Sequence, residues 1–249
     1  MMKPESTKAL KEVERRFRER NLPFGEHVLR CRSKWERYIE LQNVFHYLKI
    51  PNGDAVLDIG CADGRFLEYI NTRLPDCPLY GIDFAYNSLK LLLQKVTHNV
   101  ACGDICNMPF KSNIFKYACC IQTIQQIPSQ DERHKALREI LSTLKKNGTF
   151  VLTVLNQETW HDTVDNGKDG PLRSCPELYV YLFNPLDLQC ELEKAGFIVE
   201  IITGINNLPV KLVRRLGIIG VYVDLLISRV IPSLSLRKGT YLLAKCKTQ

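Results

Sequence analysis

The sequence predicts a doubly wound α/β fold, a largely parallel sheet with helices on both faces. Three observations carry that expectation. Short apolar runs alternate with helix-length stretches from residue 55 onward, and such alternation implies parallel strands joined by right-handed crossovers. The first run ends in an aspartate and a glycine-rich turn, Val56-Leu-Asp-Ile-Gly-Cys-Ala-Asp-Gly64; ligand sites of such sheets lie outside the carboxyl ends of strands. Finally, 249 residues, 45% hydrophobic and 24% charged, suffice for one elaborated domain and exclude a collagen-like, low-complexity or mainly disordered chain.

Residues 3–20 read as a charged helix. Lys8, Lys11, Glu12, Arg15, Arg16 and Glu19 interleave both signs at helical spacing, the pattern of a solvated face. Asn21-Leu-Pro-Phe-Gly25 breaks it, and residues 26–49 read as a second helix whose stripe includes Trp35, Tyr38, Ile39, Val44 and Leu48. Pro51-Asn-Gly53 stops that helix, because proline lacks an amide proton and Asn-Gly favours a turn. Residues 1–49 are therefore expected as an N-terminal helical extension, with residues 50–249 as the main domain.

Within the main domain, strands are expected over 55–59, 79–83, 99–103, 117–122 and 149–155, with helices over 64–73, 87–95 and 131–145. Residues 156–183 interrupt the rhythm with Gly167, Gly170, Pro171 and Pro176 among Trp160, Tyr179, Tyr181 and Phe183; a long segment of this kind is expected to act as a lid. A helix over 185–195, a strand over 197–203, a helical insert over 205–232 and a last strand over 240–246 complete the reading. The apolar residues from Leu208 to Ile227 are too many for a fully exposed helix. They are expected to pack on the sheet, or to close a pocket together with the aromatic lid.

The formal charge of +7 is unevenly spread. Residues 1–49 hold 12 Lys/Arg against 7 Asp/Glu, residues 50–204 hold 14 against 19, and residues 205–249 hold 8 against Asp224 alone. Basic ends around an acidic centre suit a rim facing phosphates or a membrane, or else ordinary solvated faces. The N-terminus lacks the apolar core of a signal peptide, and the apolar stretch from Leu216 to Ile227, broken by Asp224, is too short to cross a bilayer as a helix. A cytoplasmic, reducing location is expected, with the ten cysteines as small core residues rather than bridges. No C-x-x-C occurs, and histidines at 27, 46, 98, 134 and 161 keep no ligand-like rhythm, so no metal site is expected.

The chemistry-bearing residues cluster at predicted strand ends. Asp58 is followed by Gly60 and Gly64, which let backbone approach a ligand where a Cβ would intrude. A dinucleotide fingerprint needs glycine at i, i+2 and i+5; from Gly60 these positions hold Gly60, Ala62 and Arg65, which argues against a nicotinamide or flavin enzyme. A phosphate-binding P-loop is excluded, since no Gly-Lys-Ser/Thr follows.

The motif Asp58-Ile-Gly-Cys-Ala-Asp-Gly64, followed by Leu79-Tyr-Gly-Ile-Asp83, Gly103-Asp104-Ile-Cys-Asn-Met-Pro-Phe110, Asn113-Ile-Phe-Lys-Tyr117 and the helix-and-turn run from Ala136 to Phe150, resembles class I S-adenosylmethionine-dependent methyltransferases of the type 11 domain family. The resemblance implies a Rossmann-like sheet of seven strands, the last antiparallel and inserted between the fifth and sixth. It implies S-adenosylmethionine as cofactor, held around Asp58, Gly60, Cys61, Ala62, Gly64, Asp83, Phe84, Asp104, Ile105 and Gln122. Asp83 would take the ribose hydroxyls, Asp104 the adenine amino group, and Ile105 would pack on the ring; a carboxylate suits the first role because it accepts two hydrogen bonds at once.

Three features depart from that family. Ala62 stands where many members have glycine, Gln125-Gln126 where many carry paired histidines, and Lys116 where the usual residue before the fourth strand is aspartate. Glutamine hydrogen-bonds but cannot serve as a base near neutral pH. No catalytic residue is assigned; His161, Tyr179 and Tyr181 are candidate helpers that read first as packing or surface residues. A small-molecule or lipid-like acceptor is expected. RNA is the alternative, from a fainter resemblance of 136–140 and Asn156-Gln-Glu158 to tRNA wobble-uridine methyltransferases. A non-catalytic methyltransferase-like platform is the third reading.

Overall fold

In the computed structural model, which describes residues 4–20, 34–97, 99–160, 168–173 and 175–249, the strands are β1 (Val56–Ile59), β2 (Leu79–Asp83), β3 (Val100–Cys102), β4 (Phe115–Ile121), β5 (Leu144–Leu155), β6 (Asp169–Pro171), β7 (Tyr179–Tyr181), β8 (Ile198–Ile205) and β9 (Tyr241–Lys247). Seven of them form one sheet in the order β3-β2-β1-β4-β5-β9-β8. β1 pairs in parallel with β2 and β4, and β9 lies antiparallel between β5 and β8. The strand order turns back at β1, so the crevice beyond its carboxyl end is the switch point where doubly wound sheets take ligands.

The helices are α1 (Pro4–Arg20), α2 (Lys34–Leu48), α3 (Arg65–Asn71), α4 (Tyr86–Lys95), α5 (Gln130–Thr143), α6 (Pro185–Ala195), α7 (Val210–Leu216), α8 (Ile218–Val230) and α9 (Pro232–Lys238). They cover both faces. Alternate residues along each strand meet opposite layers: Leu57, Ala118 and Cys120 join Ala136, Ile140 and Leu192 of α5 and α6, whereas Val56 and Cys119 join Val44, Leu67 and Leu89 of α2, α3 and α4. This is the two-residue period of a strand buried on both faces. It also separates the neighbouring Cys119 and Cys120, both free and buried, onto opposite sides of the sheet.

Three expectations need correction. The charged helix is not a purely solvated face: Glu14 and Arg18 of α1 are buried and joined at 2.6 Å. Residues 156–183 are not devoid of regular structure, since β6 and β7 form an antiparallel ribbon. The insert is not one helix over 205–232; β8 runs to Ile205, Gly217 at φ +56° breaks α7 from α8, and α9 extends to Lys238. Nor do its apolar residues all pack inward. Val213, Val221 and Leu225 are buried, but Ile218, Ile219, Tyr222, Val223 and Leu226 are exposed. The beginning of the helix expected over 26–49, together with Gly167 and His161, lies outside the described residues.

Candidate functional site

The turn after β1 is built from positive-φ backbone. Gly60 has φ +74° and Gly64 φ +81°. A Cβ on Gly60 would run into the Thr123 side chain, and one on Gly64 into Leu92. Between them Ala62 adopts φ +46°, a left-handed conformation that costs an L-residue roughly 1–2 kcal/mol; this is the physical reason glycine suits that position. The Gly60 and Cys61 amides both donate to the Ile82 carbonyl, at 2.8 and 3.1 Å, tying the turn to the end of β2.

Asp83, at that end, is buried and doubly anchored. Its Oδ2 accepts from the Ala62 amide at 2.9 Å and its Oδ1 from the Ala85 amide at 2.8 Å. Burial raises its pKa, against the pull of Arg18 and the two amides. A carboxylate has about four lone-pair positions, so each oxygen keeps capacity for a further donor. Asp58, beneath the turn, accepts from the Cys119 thiol at 3.3 Å; burial pushes its pKa up to about 7, opposed by that thiol and reinforced by Asp83.

Asp104 follows β3. Its Oδ1 accepts from the Cys106 amide at 2.9 Å and its Oδ2 from the Lys11 ammonium at 3.0 Å. Burial works against its charge, yet the Cys106 amide and the Lys11 ammonium hold its pKa below the usual carboxylate range. Beyond β4, Gln122 takes φ +54° and donates at 2.7 Å to Glu40 Oε1, which also accepts from Thr153 at 2.9 Å.

These groups surround a cavity of about 280 Å³. Gly60, Asp83, Phe84, Asp104 and Ile105 line it, with Thr123, Gln126 and Ile127 from the segment after β4 and Lys11, Glu12, Glu14 and Arg15 from α1. The other sequence-named residues, Asp58, Cys61, Ala62, Gly64 and Gln122, are not in its wall: four belong to β1 and its turn, and the Gln122 side chain engages Glu40. The sequence reading missed the roof. α1 lies over the cavity, with Lys11 bridging Asp104 and Glu132 at 3.0 and 3.2 Å, Arg18 bonded to Gln126, and the Arg18 guanidinium 5.4 Å from the Phe84 ring centre. Lys11, Glu14 and Arg18 recur at i, i+3 and i+7, one helical face, which was the available signal.

The two glutamines have separate jobs. Gln125 is buried and its Oε1 accepts from the Leu155 amide at 2.5 Å, clamping the end of β5, while Gln126 faces the cavity. Tyr179 is buried and donates to Asp169, and Tyr181 lies 4.0 Å beneath the Arg133 guanidinium; neither lines the cavity. Among the described residues, no group of three or more His, Cys, Asp and Glu side chains is arranged to hold a metal ion.

Comparison with known proteins agrees with this geometry. Residues 57–152 match the methyltransferase domain family. A tRNA (carboxymethyluridine(34)-5-O)-methyltransferase of Arabidopsis thaliana is 27% identical over 119 residues, covering 47% of this chain and 28% of that protein. One of the same description from Schizosaccharomyces pombe is 29% identical over 139 residues, covering 54% and 57%. This chain thus spans well under two thirds of the length of the curated relatives it matches. Among solved structures, a Thermotoga maritima protein described as an S-adenosylmethionine-dependent methyltransferase, "possible histamine N-methyltransferase", shares the fold with a TM-score of 0.60 at 15% identity, over 96% of this chain and all of that one.

Proposed function

The chain belongs through residues 57–152 to the methyltransferase domain family and has the class I S-adenosylmethionine-dependent methyltransferase fold, and from that premise we propose that it transfers a methyl group to a small-molecule or lipid-like acceptor. The cofactor supplies a methyl on a sulfonium, a donor already activated. The residues do the rest. Asp83 receives the ribose hydroxyls on the lone pairs its two amide contacts leave over, and the bare Gly60 backbone admits close approach. Phe84, Ile105 and Ile127 give the adenine an apolar slot, and Asp104 accepts from its amino group. Asp58, buried beneath the turn that Cys61, Ala62 and Gly64 shape, would support the positive end of the cofactor from behind the cavity wall. Gln122, held by Glu40, lies beside the cavity-lining Thr123 at the edge of the cofactor site.

The observation that carries the acceptor class is the roof. α1 lines the cavity with four side chains, Lys11, Glu12, Glu14 and Arg15. A site covered in this way suits an acceptor small or slender enough to be enclosed, and enclosure excludes water and aligns the reacting atoms. Gln125 and Gln126 supply no proton acceptor, which favours an acceptor atom that carries a free lone pair near neutral pH.

A second reading, a tRNA acceptor, is favoured by the tRNA methyltransferases among the relatives and by the basic ends of the chain. The test is transfer of tritium-labelled methyl from S-adenosylmethionine into a cell extract, separated into RNA, protein, lipid and soluble fractions. Label in the lipid or soluble fraction supports the proposal. Label in RNA establishes the second reading, and cofactor binding without label in any fraction favours a non-catalytic platform.

A further inference from the structure

The helical segment 210–238 presents an inverted helix. The inward face of α8 carries Gly220, Asp224 and Ser228 beside Val221 and Leu225, and its polar groups are fully engaged within the fold. Asp224 accepts from the Leu208 amide at 2.8 Å, Ser228 Oγ accepts from Asn207 at 2.9 Å, and Thr203 donates to the Ser228 carbonyl at 2.8 Å. The outward face is the apolar one. Ile218, Ile219, Tyr222, Val223, Leu226 and Val230 fall at i, i+1, i+4, i+5, i+8 and i+12, a single stripe, and Ile219, Tyr222, Leu226 and Val230 are each more than 60% exposed. An exposed apolar stripe of this kind marks an interaction surface.

The exposed charges that flank the stripe along the chain are all of one sign. Lys211, Arg214 and Arg215 precede it, Arg237 and Lys238 follow it, and all five are exposed. From residue 201 to residue 249 the one acidic side chain is Asp224, which is buried. We propose that the outward face of α8, with the basic side chains of α7 and α9, docks the protein on an anionic phospholipid surface. A second copy of this chain would bring like charges together, and an RNA would use the basic groups and one tyrosine but gain nothing from the five aliphatic side chains of the stripe. A bilayer carrying acidic headgroups uses both: the stripe enters the headgroup–acyl boundary and the cations meet the phosphates.

The geometry fits lying on the membrane rather than crossing it. No single described helix is long and apolar enough to span, and the one pair that passes by composition, α8 with α9, is bent by 117°. The buried side of this unit packs on α2 through Ile39, Trp35, Val213 and Val221, and α2 carries Glu40 to Gln122. The docking face is therefore one helix away from Gln122, whose neighbour Thr123 lines the roofed site. This inference does not depend on the acceptor or on methyl transfer.

The experiment is flotation of the full chain with vesicles of phosphatidylcholine alone or with about a third phosphatidylglycerol. Flotation is expected with the anionic vesicles and to weaken with salt, as expected for screened surface charges. The triple variant Ile219→Gln, Tyr222→Gln, Leu226→Gln is expected to abolish it while retaining the wild-type melting temperature, since these side chains face solvent. Arg214→Gln with Arg215→Gln is expected to weaken anionic binding by about thirtyfold, about fivefold per charge. No flotation of the wild type, or flotation unchanged in the triple variant, overturns the proposal. So does conversion of a wild-type dimer to monomer by the triple variant with no vesicle binding, which assigns the face to a second copy. Retention of tRNA that is lost in the arginine variant, with vesicles inert, assigns the charges to nucleic acid and equally overturns it.

Discussion

Asp58 makes the stability of this chain pH-dependent in a direction opposite to that of an ordinary carboxylate. It lies in the central strand β1, 3% exposed, and burial raises its pKa from 3.8 to about 7. The folded chain therefore keeps a proton to near neutrality that the unfolded chain releases near pH ~4. Because the folded state binds more protons across that interval, the associated stability is complete below pH ~4, falls as pH rises, and is gone above pH ~7. At about 1.4 kcal/mol per pH unit the whole interval corresponds to about 4 kcal/mol. The part between pH ~5 and pH ~8 is about 3 kcal/mol. Asp58→Asn keeps the shape and removes the titration. In urea unfolding without added cofactor, the stability of the variant relative to wild type is expected to rise by about 3 kcal/mol from pH ~5 to pH ~8. Taking the difference cancels Glu14, a buried carboxylate that both proteins share and whose raised pKa does not stem from Asp58. A difference constant to within about 1 kcal/mol across those pH values would refute the burial argument.

Gly60→Ala is expected to cost roughly 1–2 kcal/mol through its φ alone, with the contact against Thr123 adding to it; a melting temperature within about 1 °C of wild type would contradict the turn geometry. Glu191→Gln leaves the Arg133 guanidinium, 2% exposed and bonded to Glu191 at 2.8 and 3.0 Å, without its counter-charge. About 3–5 kcal/mol of stability should be lost, read as a lower urea midpoint, and a change below about 1 kcal/mol would show that the pair is solvated.

The main sheet was legible because its punctuation is local. Asp58, Asp83 and Asp104 each sit at or just beyond a strand end, and glycines mark the first turn, so type and position agree before any tertiary contact is considered. The roof was not legible, since alternating charge on α1 is also what a solvated helix requires; only the docking of Glu14 and Arg18 distinguishes the two. The insert misled for a related reason. Hydropathy places Ile219 and Leu226 with Val221 and Leu225, but Asp224 and Ser228 are committed to Leu208, Asn207 and Thr203, and that commitment turns the most apolar stripe outward. Residues 156–183 concealed the ribbon because strands of three residues are too short for a periodicity to register.

Calorimetric titration of S-adenosylmethionine into the wild type and Asp83→Asn tests the cofactor site most directly. Asparagine is preferable to alanine, which would orphan the Ala62 and Ala85 amides together. One cofactor per chain is expected for the wild type. Losing a hydrogen bond to a charged acceptor is worth about 1.5–3 kcal/mol, so the variant should bind roughly 10- to 150-fold more weakly. No heat of binding with folded wild-type protein, or equal affinity in the two, would contradict the assignment of this cavity to the cofactor.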